Sequence, residues 1–297
     1  MDRVRAMEIF IQIVDRGSMS RAATVLGVSS TTVSTYLASL EAHLGRRLLD
    51  RSTRRIHLTE DGRQFLEDAR HIVDAVAMAE DMTRGSDAVL RGRVRIDVPA
   101  SIGHRYVLPA LPGFLARHPA IELDVILGDR ASVFRPDGFD VLIRVGETAM
   151  RNADVRCLGQ SRFVHVAAPS YLARRGIPET PGDIEDHDCI LYSTLDQPGG
   201  RWWSFQRDGK VERIRPRSQL SLNDGNAIAA AAMAGLGIAR TLEMLVSQEI
   251  AGGRLSAVLN DWADEPVPIY AVAAADRSRI PVVSATLAFL ETMRWTS

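Results

Sequence analysis

Lysine is almost missing from this 297-residue chain: Lys210 is the only one, and arginine supplies the rest of its 36 basic residues. Arginine offers a planar fork suited to phosphate and guanine, although genomic base composition accounts for such a bias as readily. Cysteine is nearly as scarce. Cys157 and Cys189 lie far apart and match no metal spacing, which excludes a disulfide framework and points to a reducing compartment. The net charge of −1 excludes a uniformly basic nucleic-acid coat protein but leaves room for a local patch. No apolar run approaches about 20 residues, so no membrane span is expected. The N-terminal "MDRVRAMEIFIQIVDRG" has acids within a short apolar run and is not expected to be an export signal. The chain is therefore expected to be cytoplasmic. P-loop, GxSxG, HExxH and dinucleotide GxGxxG patterns are all lacking, so neither an enzyme nor a cofactor is expected. "DHDC" at 186–189 has metal-ligand residue types, but consecutive side chains do not converge and no second ligand group follows at a useful spacing.

What remains is the composition of a globular protein, 46% hydrophobic and 25% charged, long enough for two or three domains. Val4, Met7, Ile9, Phe10, Ile13 and Val14 recur at helical spacing and stop at Gly17. Ser18 can cap a short helix carrying Ala22, Ala23, Val25 and Leu26, which Gly27 ends. Ser29 can cap a third helix, in which Val33, Leu37, Leu40 and Leu44 form a stripe expected to be buried. Hydroxyls crowd the start of this helix: Ser29, Ser30, Thr31, Thr32, Ser34 and Thr35. Such side chains compete for backbone hydrogen bonds and do little for helicity. They suit a surface that must approach a partner closely. Helix, tight glycine turn and small polar helix is the helix-turn-helix pattern, whose second helix enters the major groove by its N-terminus. On this segment alone, a capped helix with a solvated Ser/Thr face fits equally well.

The next stretch, "GRRLLDRSTRRIHLTEDG", adds the missing cations. Arg46, Arg47, Arg51, Arg54 and Arg55 cluster against one acid, Asp50. Leu48, Leu49, Ile56 and Leu58 flank a turn at Ser52 and Thr53, predicting a small hairpin with an arginine-loaded tip that tracks phosphates. Residues 1 to 62 resemble the winged helix-turn-helix of LysR-type transcriptional regulators. The resemblance is carried by "FIQIVDRGSMSRAATVLGVSSTTVSTYLASLEAHLGRRLLDRSTRRIHLTEDG". The family often has Gln at the position of Ser30 and a longer polar or basic residue at that of Thr35. The resemblance implies a DNA contact surface made of Ser29, Ser30, Thr31, Thr32, Ser34, Thr35, Arg51, Thr53, Arg54 and Arg55.

Thr59 is a plausible N-cap, with Glu60 and Asp61 in the first turn of a helix that meets no proline before about Asp87. Phe65, Ala69, Ile72, Val76 and Ala79 step by four and three along it, a seam expected to pair with another chain. Packing on its own domain is the alternative. The resemblance implies that this linker helix makes the dimer, through Phe65, Ala69, Ile72 and Val76, and that the protein works as a dimer of dimers.

Beyond Arg91 the pattern changes. "RVRIDVPA", "IELDVILGD", "FDVLIRVG", "RFVHVAAP", "RIRPRSQLSL" and "PVPIYAVAAA" read as strands. "HRYVLPALPGFLARHP", "NAIAAAAMAG" and "VVSATLAFLETMRW" read as helices. The alternation predicts parallel sheets in an α/β fold. "LPALPGFLARHP", "DVLIRVGE", "AAPSYLARRG", "SLNDGNAIAAAAMAGLGIA" and "GGRLSAVL" resemble the family's effector domain, which implies a two-lobed periplasmic-binding-protein-like architecture. The expected organisation is a winged helix-turn-helix over 1–58, a linker helix over 59–88 and an effector domain over 89–297. Within the last, lobe one takes 89–162 plus 267–297, and lobe two takes 163–266. Ligands of open α/β sheets bind at carboxyl ends of strands. That rule selects Ser101 and its neighbour Ile102, Asp129, Arg144 with Val145, and Asn223. Trp202 and Trp203 are candidates for an apolar wall. If the effector is an anion, Arg144 and the helix start at Ser101 are its best partners. Each has a structural alternative: Ser101 and Asn223 as helix caps, Arg144 paired with Asp140 or Glu147, the tryptophans as core.

The expected function is a LysR-type, sequence-specific DNA-binding regulator controlled by a small-molecule effector of unknown identity. Its expected partners are double-stranded DNA with a two-fold-related site, further copies of itself and the effector. RNA polymerase is a further candidate partner; a membrane is not. The alternative is a cytoplasmic small-molecule-binding module whose N-terminal helices serve assembly only.

Overall fold

The computed structural model describes residues 2–50, 56–83, 89–128, 139–146, 152–193, 202–262 and 265–295. The expected hairpin tip with Arg51, Thr53, Arg54 and Arg55, and the candidate Asp129, lie outside the described residues.

Three helices open the chain: α1 (Arg3–Arg16), α2 (Met19–Leu26) and α3 (Ser30–Leu44). Asp2, Ser18 and Ser29 cap them, each accepting a backbone N–H from three residues on. The turn between α2 and α3 depends on Gly27, whose φ of 64° is a conformation that costs L-residues energy. Its N–H and that of Val28 close back on Ala23, ending α2 within one residue. Ile9, Phe10 and Ile13 of α1 pack against Ala22, Val33 and Leu37, all fully buried. Leu44, expected in the same stripe, is instead 37% exposed, because α3 has by then passed the edge of the three-helix core. Strands β1 (Leu49–Asp50) and β2 (His57–Leu58) pair antiparallel, with Leu49 opposite Leu58, and form the base of the expected hairpin.

Helix α4 (Glu60–Thr83) follows, capped as expected by Thr59, whose hydroxyl accepts from Gly62 N–H (2.9 Å) and donates to the Arg47 carbonyl (2.7 Å). Its apolar seam divides, correcting the expectation that the whole of it faces another chain. Ala69 is fully buried, and Phe65 lies against Phe10 with ring centroids 5.8 Å apart, both within the chain's own N-terminal core. α1 presents an apolar face broad enough to take this half of the helix. Ile72, one turn further, is 42% exposed, and Val76 is half-buried.

Among the described residues, the remainder holds two five-stranded sheets. The first, lobe one, orders β4 (Ala120–Leu127), β3 (Arg91–Val98), β5 (Val141–Val145), β14 (Val267–Ala274) and β6 (Ala153–Ser161). The second, lobe two, orders β11 (Ser218–Leu222), β8 (Cys189–Tyr192), β12 (Ile238–Leu242), β7 (Phe163–Ala167) and β13 (Ser256–Val258). A separate antiparallel hairpin joins β9 (Trp203–Arg207) to β10 (Lys210–Ile214). Both large sheets are mixed, which corrects the expectation of parallel ones. The reason is connectivity: the chain leaves lobe one along β6 and returns along β14, and these strands lie side by side, antiparallel, from Ala153–Ala274 to Ser161–Val267. In lobe two β7 receives the incoming chain and runs antiparallel to both β12 and β13. His187 and Cys189 of "DHDC" are structural: Tyr171 Oη lies 3.1 Å from His187 Nδ1, and Cys189 begins the buried β8.

Candidate nucleic-acid interface and effector cleft

The outer face of α3 consists of Ser30, Thr31, Thr35 and Ala38, all exposed. The hydroxyls of the crowded N-terminus divide into two groups. Ser29 Oγ accepts the Thr32 N–H (3.0 Å) and shares a hydrogen bond with Thr32 Oγ1 (2.8 Å). Ser34 is half-buried and donates to the Met19 sulfur of α2 at 3.5 Å, so it belongs to the helix–helix contact and not to the outer face. Thr35 Oγ1 donates to the Thr31 carbonyl (2.9 Å), which leaves its methyl group as the part of this exposed side chain without a hydrogen-bonding task. Among the described residues, no hydrogen bond occupies the Ser30 and Thr31 hydroxyls. These two are the side chains of α3 best placed to meet a base edge, and the small Ala38 permits a close approach.

The hairpin is tied to this helix by Glu41. One of its carboxylate oxygens accepts the N–H groups of Leu48 (2.8 Å) and Leu49 (3.2 Å). Sequence reasoning passed over Glu41, whose signal is an acid on the inner side of α3 just before an arginine-rich turn. Arg46 and Arg47 at that turn are exposed; Arg46 lies 3.9 Å from Asp61, a long contact at high exposure that leaves its charge available to solvent.

In the effector domain, β3 and β5 are parallel neighbours, pairing Asp97 with Leu142. Near their carboxyl ends Arg144 Nη2 donates to Asp97 Oδ2 at 2.7 Å, and Arg144 Nη1 to the Ile143 carbonyl. Asp97, 3% exposed, is thus an acid that pairs with Arg144, and Glu147 lies outside the described residues. Past the end of β3, the short helix Ala100–Ile102 runs through a π-helical turn, Gly103–Val107, into Leu108–Arg117. Ser101 is buried here against lobe two: a Cβ on Gly225 would come within 2.9 Å of Ser101 Oγ. Gly225 opens the helix Gly225–Met233, so two helix starts, one per lobe, meet at this point. Ser101 caps neither. Pro99 occupies the cap position of its own helix, and Asp224, not Asn223, caps the other by accepting the Ala227 N–H at 2.8 Å. Asn223 is exposed two residues away.

The other expected cleft residues do not join this group. Ile102 is buried in the lobe-one core, and Val145 packs against the same core. Trp202 is 57% exposed at the start of the β9 hairpin, whereas Trp203 is buried in lobe two beside His165, with ring centroids 5.1 Å apart. Trp203 is therefore core and not a cleft wall. Contacts that sequence reasoning missed cross between the lobes. Tyr106 Oη, on the π-helical turn, donates to the Met244 carbonyl at 2.9 Å. Where the chain crosses from β6 to β7, Arg162 grips Glu243 through two hydrogen bonds of 2.9 and 2.7 Å, and this holds the Glu243 carboxyl below its usual range. Among the described residues no cluster of metal-ligating side chains occurs and no helix is long and apolar enough to cross a membrane.

Comparison with known proteins gives two family matches. Residues 4–63 match the bacterial regulatory helix-turn-helix protein, lysR family, and residues 87–294 match the LysR substrate binding domain. An uncharacterised HTH-type transcriptional regulator of Escherichia coli K12, YhjC, is 31% identical over 91% of this chain and 90% of its own length. An HTH-type transcriptional regulator of Xanthomonas campestris pv. campestris is 34% identical over 96% of this chain and 83% of its own. The structure of CrgA, a LysR-type transcriptional regulator from Neisseria meningitidis, is 28% identical with a TM-score of 0.62, covering 97% of each chain.

Proposed function

This chain belongs to the LysR family of transcriptional regulators, and from that premise we propose how its parts divide the work. The family makes it a DNA-binding regulator with an effector-binding domain rather than an enzyme. The observation that carries the reading is the split among the α3 hydroxyls. Ser29, Thr32 and Ser34 build the helix and its packing, while Ser30 and Thr31 remain presented outward with Thr35 and Ala38. Ser30, Thr31 and the Thr35 methyl read base edges. The Ser29-capped helix start and the arginines of the hairpin, Arg51, Arg54 and Arg55 with Thr53 between them, hold phosphates. This electrostatic grip makes affinity fall with salt.

Self-association brings two reading heads to a two-fold-related site, and a dimer of dimers spans a longer one. The exposed Ile72 and the half-buried Val76 are the part of the linker seam left for a second copy. A small-molecule effector binds where the lobes meet, near Ser101, Asn223 and Arg144. Asp129, selected from the sequence, completes this set. Promoter-bound protein then communicates with RNA polymerase in the cytoplasm.

The test is a salt titration of duplex binding by wild type and by Arg54→Ala/Arg55→Ala. The double variant should bind all sequences more weakly, with a slope of log affinity against log salt reduced by about two. Wild-type binding that is absent or indifferent to salt would favour the small-molecule module whose N-terminal helices serve assembly only.

A further inference from the structure

Over residues 67–74 the linker helix keeps one face on the N-terminal core, through Ala69, the Arg70–Asp15 pair and Val73, while another face meets charged side chains of lobe one. Arg95 of β3 reaches Glu67 (2.9 Å), and Arg277, just after β14, reaches Asp68 (2.8 Å). His71 Nε2 lies 3.1 Å from Asp140 Oδ1, which also accepts from Arg277 Nη1 at 3.2 Å. The second Asp140 oxygen accepts the Arg95 N–H (2.8 Å), and the Asp140 N–H donates to the Arg95 carbonyl (2.9 Å). One carboxylate, 3% exposed, thus stitches the middle of β3 to the start of β5 and holds the helix at the same time. Burial alone would raise its pKa. The His71 hydrogen bond and charge, the Arg95 N–H and the Arg277 charge outweigh that and keep Asp140 ionised below the usual range.

Two further observations mark this seam as a joint rather than a core. It is polar, and next along the helix a cavity of about 370 Å³ opens between Gln12 and Asp15 of α1, Arg70 and Asp74 of α4 and Glu122 of β4. Interiors that hold rigidly are close-packed and dry, so this contact can open at lower cost than either lobe. The strands held at the seam also run to the Asp97–Arg144 pair. β3 carries Arg95 at the helix and Asp97 two residues on; β5 begins after Asp140 and carries Arg144, the partner of Asp97. Two to four residues of strand, about 7–13 Å, separate the paired positions.

We propose that Asp140 is the hub of a latch that holds the linker helix, and with it the reading head, on lobe one, and that β3 and β5 link this latch to the Asp97–Arg144 pair. The inference rests on the effector reading of that cleft. Asp140 acts as a positioning residue: it touches neither DNA nor effector. A ligand that moves Arg144 relative to Asp97 shifts β5 against β3, changes the seat of Asp140 and releases or tightens the helix. Such coupling needs a two-state element biased from both ends, and the polar seam supplies one.

Hydrogen exchange on the full-length protein tests this. Undocked helices are marginal in water, so the amides of residues 71–80 report docking. Glu67→Gln/Asp68→Asn changes only the helix side. It should speed exchange at 71–80 about tenfold while the amides of β3 and β5 keep wild-type rates; unchanged rates at 71–80 overturn the latch. Asp140→Asn should do the same, with Glu67→Gln/Asp68→Asn deciding the matter if Asp140→Asn also loosens lobe one. Arg144→Gln should speed the 71–80 amides without touching the seam, and no effect there overturns the strand link. DNA binding is scored separately: its absence would sink the functional reading and leave these exchange results standing.

Discussion

Gly62→Ala should dislodge the hairpin from the reading head. Gly62 sits in the first turn of α4, directly under the start of β1. An added Cβ would stand 2.0 Å from the Leu48 carbonyl oxygen and 2.9 Å from its carbon, both backbone atoms that cannot rotate away. Relief to a tolerable contact requires a retreat of at least about 1 Å. That retreat pulls on the Leu48 carbonyl, which accepts the Thr59 N–H at 3.0 Å, and on the neighbouring Arg47 carbonyl bound by Thr59 Oγ1. Overpacking of this kind costs about 1–3 kcal/mol, and each kcal/mol lowers the melting temperature of a small domain by roughly 4–8 °C. Because Leu48 and Leu49 are also held by Glu41, the strain reaches α3. Calorimetry should show the N-terminal transition lowered, and binding to random duplex should weaken with it. Gly113→Ala is the control: that helical glycine has nothing within 4 Å of the added Cβ, and the change should stabilise by about 0.5–1 kcal/mol through the unfolded chain. Equal melting temperatures and equal DNA affinities for wild type and Gly62→Ala would refute the reasoning.

Other substitutions separate the roles further. Thr31→Ala should lower affinity for a selected operator by about 1–3 kcal/mol and leave random DNA unaffected, whereas Ser34→Ala should change stability slightly and sequence preference not at all; competition binding distinguishes them. His165 is buried between Trp203 and Phe205, and burial first, then the Arg240 charge, push its pKa down to about 3. The unfolded chain therefore takes up a proton between about pH 6.5 and 3 that the fold refuses, so stability is full above about 6.5 and falls as pH drops through that window. Melting curves should show this slope, and His165→Phe should flatten it. Cys189, raised to about 12 by burial and the Asp188 charge, should resist a thiol reagent that modifies the exposed Cys157; mass spectrometry of the labelled native protein reads the result.

The elements that could be read from sequence share a trait: their signals are local. The caps at Ser18, Ser29 and Thr59 and the glycine turn at Gly27 each depend on a few adjacent residues, and all appear where expected. What escaped depends on distant partners. Phe65 and Ala69 present the same seam to a second chain or to α1, and only the breadth of α1 decides. Arg144 had acids nearby in sequence, yet Asp97 meets it through strand pairing 47 residues away. Pro216 splits the single strand read at 213–222 into β10 and β11, since proline offers no ladder donor. Strands β8 and β12 lack alternation because both their faces are buried, and β6 and β13 lie at sheet edges, β13 with only three residues to carry a pattern. Asp140 and Glu41 look like ordinary surface acids until the backbone N–H groups they receive are placed.

The antiparallel seam of β6 and β14 sets an order of events during synthesis. Lobe two is an insertion within lobe one, so β5 waits for its neighbour β14 until the intervening chain from 146 to 266 has been made. At about 5–20 residues per second this gap lasts roughly 6–25 s. Throughout it lobe one carries a bare strand edge on β5, open to other nascent chains. A codon-dependent pause in that interval would lengthen the exposure without altering a single residue of the finished protein.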